Sequence, residues 1–431
     1  MIKEKEYPLF TVIIPQKNRA EYMYHTLKTC MIQDYPNFEI IVSDDCSEDD
    51  SVRVIRELAL KDPRIKLFAH KEHLGMRDNF EFALNQVKPG YIMALGGDDG
   101  LIPGSIWRMY EILSSTKKEL LTWPHARFSY PLYKDGKSIF CIRRKKNRGV
   151  KIIDSSYFLN KLTDSFLYQI DECPMFYIKG VASTELVDKV KSRTIDNCFY
   201  ACPTPDGFSG IVLAGEVENY AFTNEPLSIG GSTIKSQGAN YRRTDNKSKQ
   251  EAQQFFNDNI RRTMHAELAS QPYSPLEPLM TADYLLTARD LPGWPGKFNP
   301  FSFDSLLRAT FKFLEKSNYD NEVLKRELII LKNIAKQHDL LDLYEHLINT
   351  TKRKVVREKN VYGFVITNSI RLEGKELGIN NIYDAALATN VIYRFYNKFS
   401  LKMLIELIRN TYEIIIRTKK YKIEYLPKID D

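Results

Sequence analysis

The chain has 431 residues, of which 43% are hydrophobic and 27% charged, and a formal net charge of +7. This is an ordinary globular composition, long enough for two domains. The mild positive excess suits anionic partners such as phosphates, nucleotides or acidic lipid surfaces and is too weak and dispersed for duplex DNA, so no nucleic-acid partner is expected.

No apolar run reaches the length of a membrane span, and the opening MIKEKEYPLF lacks a signal peptide's apolar segment. A cytoplasmic protein is expected, one that lies at most against the inner face of the membrane. The six cysteines (30, 46, 141, 173, 198 and 202) include no CxxC and have no zinc-site spacing, so they read as reduced thiols.

Taken in order, FTVII (10–14) is a short β-rich run closed by Pro15, and FEIIVS (38–43) is a second, ending at Asp44–Asp45. Between them, EYMYHTLKTCMIQ carries apolar residues at helical spacing, which makes a β-α-β unit. SVRVIRELALKD (51–62) reads as the next helix, RIKLFAH (64–70) as a strand, DNFEFALNQV (78–87) as a helix and YIMAL (91–95) as the fourth strand. Such alternation implies a mostly parallel α/β sheet with helices on both faces. Ligands in these sheets bind beyond the carboxyl ends of the strands. Pro15–Arg19, Asp44–Asp45 and Gly96–Gly97–Asp98–Asp99 all fall at such ends and should share one crevice. The adjacent carboxylates Asp98 and Asp99 repel one another, so they mark either an exposed turn or a site for a hard metal ion. GxxxxGK[ST] and GxGxxG are both absent, which argues against a P-loop NTPase or a dinucleotide dehydrogenase.

Further on, IWRMYEILSS reads as a helix and KELLTWPHARFSY as a strand region, with Trp123 and His125 as candidates to line an acceptor site. A basic run follows at Arg143–Arg148. SIGGSTIKSQGANYRRTDNKSKQ (228–250) has the composition of a flexible loop, so a linker or lid is expected over 236–251. From 252 the apolar spacing is helical throughout, which predicts an all-α C-terminal domain over 252–431 that could serve as a homo-oligomer contact. Its last helix carries Arg417, Lys419, Lys420 and Lys422, which suit either the helix macrodipole or peripheral contact with an anionic membrane.

The N-terminal half resembles the family 2 glycosyltransferases of GT-A fold. The resemblance rests on Gln33, Tyr35, Phe38-Glu39-Ile40-Ile41-Val42, Asp44-Asp45, Ser47 and Asp49, and on HLGMRDNFEFALNQVKPGYIMALGGDDGLIPG; it covers about 8–235. It implies a GT-A domain over 1–235. It also implies an inverting, metal-dependent enzyme that moves a sugar from a UDP-sugar donor to a saccharide or lipid-linked saccharide acceptor in surface polysaccharide assembly. By this resemblance Asp45 accepts from the uracil N3–H, while Pro15, Asn18 and Arg19 frame the base. Asp98 and Asp99 hold ribose and a Mg²⁺ or Mn²⁺ ion, with Asp99 the more direct ligand. Arg77 and Lys17 would meet diphosphate oxygens, and Asp206, opening a helix in CPTPDGFSGIVLAGEV, would be the catalytic base. Two positions depart from the family pattern: Gly96 replaces the usual first Asp of the acidic element, and Thr204 replaces an acidic neighbour of Asp206. These departures keep open a second reading, a catalytically degenerate nucleotide-sugar-binding or scaffold protein.

Overall fold

The computed structural model describes residues 7–131, 138–143, 149–236, 246–259, 262–355, 363–365, 369–395 and 422–427. Most of the basic run 143–148, the centre of the expected linker at 237–245 and the basic stretch with Arg417, Lys419 and Lys420 lie outside the described residues. The membrane-contact expectation therefore falls outside them too.

The strands are β1 (Phe10–Gln16), β2 (Phe38–Asp44), β3 (Ile65–Ala69), β4 (Tyr91–Ala94), β5 (Gly100–Leu101), β6 (Leu120–Thr122), β7 (Ala126–Ser129), β8 (Ile139–Arg143), β9 (Val150–Asp154), β10 (Gly180–Ser183), β11 (Asn219–Thr223), β12 (Ser228–Ser232), β13 (Lys352–Val355), β14 (Gly363–Val365), β15 (Ser369–Glu373) and β16 (Lys422–Tyr425). Eight of them form one sheet in the order β3-β2-β1-β4-β10-β6-β11-β9. β1 to β4 run parallel there, and β10 is antiparallel to both its neighbours. β1 and β2 are buried on both faces, which is why they read as continuous apolar runs rather than alternating ones. Alternation decides only which face each residue serves. Ile13 and Ile41 enter one core, while Val12, Ile14, Ile40 and Val42 enter the other.

The second core takes α1 (Ala20–Met31), α2 (Ser51–Ala59) and α4 (Ser105–Thr116) through Leu27, Ile55 and Met109. The first takes α3 (Met76–Leu84), α5 (Ser155–Ser165), α6 (Thr184–Lys191) and α7 (Asp206–Gly215). Each expected strand and helix of the first hundred residues thus occurs, and the fold class is the α/β, GT-A-like one.

The C-terminal region is mainly helical: α8 (Asn246–Asp258), α9 (Glu277–Arg289), α10 (Phe303–Leu314), α11 (Asn321–Gln337), α12 (Leu341–Thr350) and α13 (Ile382–Phe395). Side-chain caps start several of these helices, with Ser302 accepting from Ser305 N and Asp320 from Val323 N. The expectation of an all-α region is corrected by β13 to β16. β15 pairs antiparallel with β8, adding an edge to a second sheet ordered β14-β15-β8-β7-β12-β5, and β13 pairs with β16. SIRLE and KIEY are too short for helical periodicity to register, and only a partner strand makes them β. Nor does the core break near residue 236. α9 and the segment after it pack on α7 so closely that a Cβ on Gly207 would stand 2.6 Å from Tyr284, and one on Gly215 would stand 2.0 Å from Trp294. The chain then returns to the first region, where Ile382, Ala385 and Ala386 of α13 pack with Tyr22, Phe128 and Phe140.

Candidate active site

Register places the site. Gln16 stands opposite Asp44, and Ile13 opposite Ala94, so the segments leaving β1, β2 and β4 emerge at one edge of the sheet. They open into a cavity of about 1010 Å³ that also receives the start of α7 and residues from α8 to α10. Pro15, Lys17, Asn18, Arg19, Asp45, Asp98 and Asp206 all line it. The convergence inferred from strand ends is therefore present.

The loop after β1 is held by the loop after β2. Asn18 N donates to Ser47 Oγ at 2.8 Å, Arg19 N to Ser51 Oγ at 2.9 Å and Ala20 N to Asp49 Oδ2 at 3.1 Å. The last two are orphan N–H groups at the start of α1, so Ser51 and Asp49 serve as caps supplied from another part of the chain. Asn18 adopts a left-handed φ of 53° and accepts from Glu48 N at 2.8 Å. Asp44 is structural: it accepts from Gln16 Nε2 and from Ser47 N.

Asp45 is buried yet faces the cavity. It accepts from Leu74 N at 2.6 Å and Gly75 N at 3.2 Å, and His73 Nδ1 stands 2.8 Å away. His73 Nε2 continues to Asp258 at 3.0 Å, and Lys17 Nζ approaches His73 Nδ1 at 3.0 Å. His73 thus ties the loop after β3 to α8. No motif marks it in the sequence; its position after β3, beside a strand end, is the one signal available.

The acidic pair divides its labour. Asp98 lines the cavity and accepts from Thr233 Oγ1 at 3.0 Å and Ser236 Oγ at 3.4 Å. Asp99 is turned inward and 1% exposed. Its carboxylate accepts from Gly96 N at 2.8 Å, from Gly231 N at 2.9 Å and from the Tyr177 hydroxyl. Burial first, then the neighbouring Asp98 charge, push Asp99 above the usual carboxylate range. Asp99, expected as the more direct metal ligand, thus braces the loop, and Asp98 is the member of the pair that lines the cavity. The absent first Asp has a steric explanation as well. A Cβ at Gly96 would stand 2.6 Å from the Tyr177 hydroxyl and 2.8 Å from Asp99 Oδ2.

Asp206 opens α7 and keeps part of its surface on the cavity while its surroundings desolvate it, pushing it from 3.8 up to about 6. Tyr168, Tyr177 and Tyr273 all feel its charge. Thr204 hydrogen-bonds the Tyr284 hydroxyl and stands 3.4 Å from that of Tyr273, so its side chain belongs to a tyrosine network.

Besides Asp99, three expected site residues are not at the cavity. Arg77 is turned away: Nε donates to Tyr200 O at 2.6 Å and NH1 to Asp78 at 2.6 Å. Trp123, just after β6, is fully buried, with Nε1 donating to Ser228 Oγ at 2.8 Å. His125 lines a separate small recess with Arg127, Asp171 and Lys179. Arg19 and Lys235 supply cations to the cavity instead. Arg19 NH2 donates to Lys235 O at 2.6 Å, and Lys235 Nζ to Asn18 O at 2.6 Å. All six cysteines are free thiols, and no helix among the described residues is long and apolar enough to cross a membrane.

The profile described as Glycosyl transferase family 2 matches residues 11–160, the stretch that builds β1 to β9. That stretch is a family 2 glycosyltransferase domain. Within it the chain is similar to a GalNAc(5)-diNAcBac-PP-undecaprenol beta-1,3-glucosyltransferase of Campylobacter jejuni, 35% identical over 100 residues, which is 23% of this chain and 32% of that one. It is also similar to TuaG of Bacillus subtilis, a provisional teichuronic acid biosynthesis glycosyltransferase, 30% identical over 92 residues, which is 21% of this chain and 36% of that one. The match thus spans about a third of the length of these relatives. Among solved structures, residues 1–349 of S. aureus TarS in complex with UDP-GlcNAc superpose with a TM-score of 0.42 and 11% identity, over 78% of this chain and 90% of that one, a likeness too loose to carry an argument.

Proposed function

We propose that the protein is an inverting glycosyltransferase that moves a sugar from a UDP-sugar to a hydroxyl of a saccharide or lipid-linked saccharide. The observation that carries this reading is the meeting of Asp45, Asp98 and Asp206, from three distant segments, in one cavity with Lys17, Arg19 and Lys235. Residues 1–235 contain Pro15, Asn18, Arg19, Asp45, Asp98 and Asp206 in this reading.

In it, Asp45 accepts from the nucleobase, its two backbone donors and His73 leaving lone-pair capacity for one more hydrogen bond. Lys17, Arg19 and Lys235 face diphosphate oxygens. A divalent Mg²⁺ or Mn²⁺ fits Asp98, since the carboxylate and the neighbouring hydroxyls of Thr233 and Ser236 are hard oxygen donors. Among the described residues no group of three or more His, Cys, Asp or Glu is placed to cage a metal, which suits an ion that shares its coordination with the substrate's phosphates. When bound, such an ion would offset charge on the leaving diphosphate.

Asp206 takes the proton from the acceptor hydroxyl as that oxygen attacks the sugar's anomeric carbon and UDP leaves from the opposite side. A carboxylate tuned to about 6 is ionised near neutrality yet remains a better base than an ordinary Asp. Tyr177 lines the cavity, bonds Asp99 through its hydroxyl and feels the charges of Asp98 and Asp206.

Calorimetric titration of UDP, with CDP and GDP as controls, tests the reading on wild type and Asp98→Ala, with Mn²⁺ and with EDTA. UDP binding that requires Mn²⁺ and is lost in the variant is expected. Absence of UDP binding under every condition sinks the reading.

A further inference from the structure

Among the described residues, Lys17, Arg19 and Lys235 bring cations to the strand-end side of the cavity, and they are held in different ways. Arg19 NH2 donates to Lys235 O at 2.6 Å and Lys235 Nζ to Asn18 O at 2.6 Å, so backbone carbonyls fix both. Lys17 is fixed by a side chain: its Nζ meets His73 Nδ1 at 3.0 Å.

His73 is in turn held from α8, where Asp258 meets its Nε2 at 3.0 Å. The two partners set the roles of the ring nitrogens. A carboxylate only accepts, so Nε2 carries the proton, and an ammonium only donates, so Nδ1 presents its lone pair to Lys17. Asp45 Oδ2 stands 2.8 Å from the same Nδ1, a contact that needs positive charge beside it, and the Lys17 ammonium brings that charge. The anchor is itself braced. Gln254 Nε2 donates to the other Asp258 oxygen at 2.7 Å. The loop after β3 runs close to it at Gly75, whose φ is 86° and where a Cβ would stand 3.6 Å from Asp258 Cβ. His73, Gln254 and Asp258 all line the cavity, and α8 lies outside the matched stretch 11–160.

A lysine has a long flexible stem, and confining it when a ligand binds costs affinity. His73 uses one of the three ammonium donors and leaves two for phosphate oxygens, with the stem already confined. We propose that His73 is a positioning residue: anchored on Asp258, it holds Lys17 preorganised for the diphosphate of the donor. Through this Lys17–His73–Asp258 chain, a helix beyond the matched stretch takes part in donor binding. The proposal rests on the UDP-sugar reading above.

The test is a double-mutant cycle on the full chain with Mn²⁺: wild type, Lys17→Ala, His73→Ala and the double variant. UDP is titrated calorimetrically, and uridine by competition with it. Lys17→Ala should weaken UDP about tenfold, as for one charge-assisted hydrogen bond. His73→Ala should weaken it by a similar factor, the cost of ordering a free lysine, and leave uridine unchanged. The double variant should be no weaker than Lys17→Ala, because the two side chains act as one unit. Should His73→Ala fail to fold, Asp258→Ala takes its place in the same cycle. Losses that multiply to about a hundredfold overturn the proposal. So does UDP affinity untouched by His73→Ala, or uridine weakened as much as UDP, which marks a residue that only holds its loop. Absence of UDP binding in wild type, or UDP affinity untouched by Lys17→Ala, instead refutes the donor reading and the proposal with it.

Discussion

Replacing Asp206 by Asn separates catalysis from stability, with opposite signs. The carboxyl is raised from 3.8 to about 6 by desolvation, so the folded state holds the ionised form less well than the unfolded chain does. The sign follows from linkage. Below about pH 4 both states are protonated and the residue costs nothing. As pH rises the unfolded chain ionises first, and the penalty grows until the folded pKa is passed near 6. A shift of about two units corresponds to about 3 kcal/mol at pH 7. Asp206→Asn should therefore raise the urea midpoint at pH 7 and leave it nearly unchanged at pH 4. The same variant should lower kcat about 10²–10⁴-fold. In wild type, kcat/KM should rise with pH through about 6 and then level off, since the base acts ionised. A variant no more stable at pH 7 than at pH 4, relative to wild type, would falsify the account of a desolvated carboxylate. Retained turnover would remove Asp206 from the chemistry.

Asp99→Ala orphans the buried N–H of Gly96 and the half-buried N–H of Gly231, so it should cost about 1–4 kcal/mol of stability, read by urea denaturation. It should do so with or without Mn²⁺; a loss confined to Mn²⁺-dependent UDP binding would return Asp99 to the role of a ligand. Gly96→Asp, which restores the acid usual in the family, forces a Cβ to 2.6 Å from the Tyr177 hydroxyl. A destabilisation of about 1–3 kcal/mol and weaker UDP binding are expected. Improved UDP affinity by calorimetry would refute the steric explanation.

The strand and helix order of the first hundred residues, the shared edge for Pro15–Arg19, Asp45 and Asp98, and the place of Asp206 at a helix start were all legible in the sequence. These properties are local. Apolar period and length mark a buried strand, and a parallel sheet carries its strand ends to one side whatever lies around it. Which member of an adjacent acidic pair faces the cavity was not legible. Successive side chains in an irregular loop have no fixed direction, and Asp99 was claimed by Gly231, 132 residues away. Arg77 and Trp123 left the site for the same reason: their partners, the Tyr200 carbonyl and the Ser228 hydroxyl, are far off in the chain. The edge formed by β15 and the cavity's aromatic wall from 273 to 319 exist only once distant segments pack, because helical periodicity says which face of a helix is apolar and not what that face meets. The strand-end side of the cleft is thus written in short motifs, and its aromatic side is a product of tertiary packing.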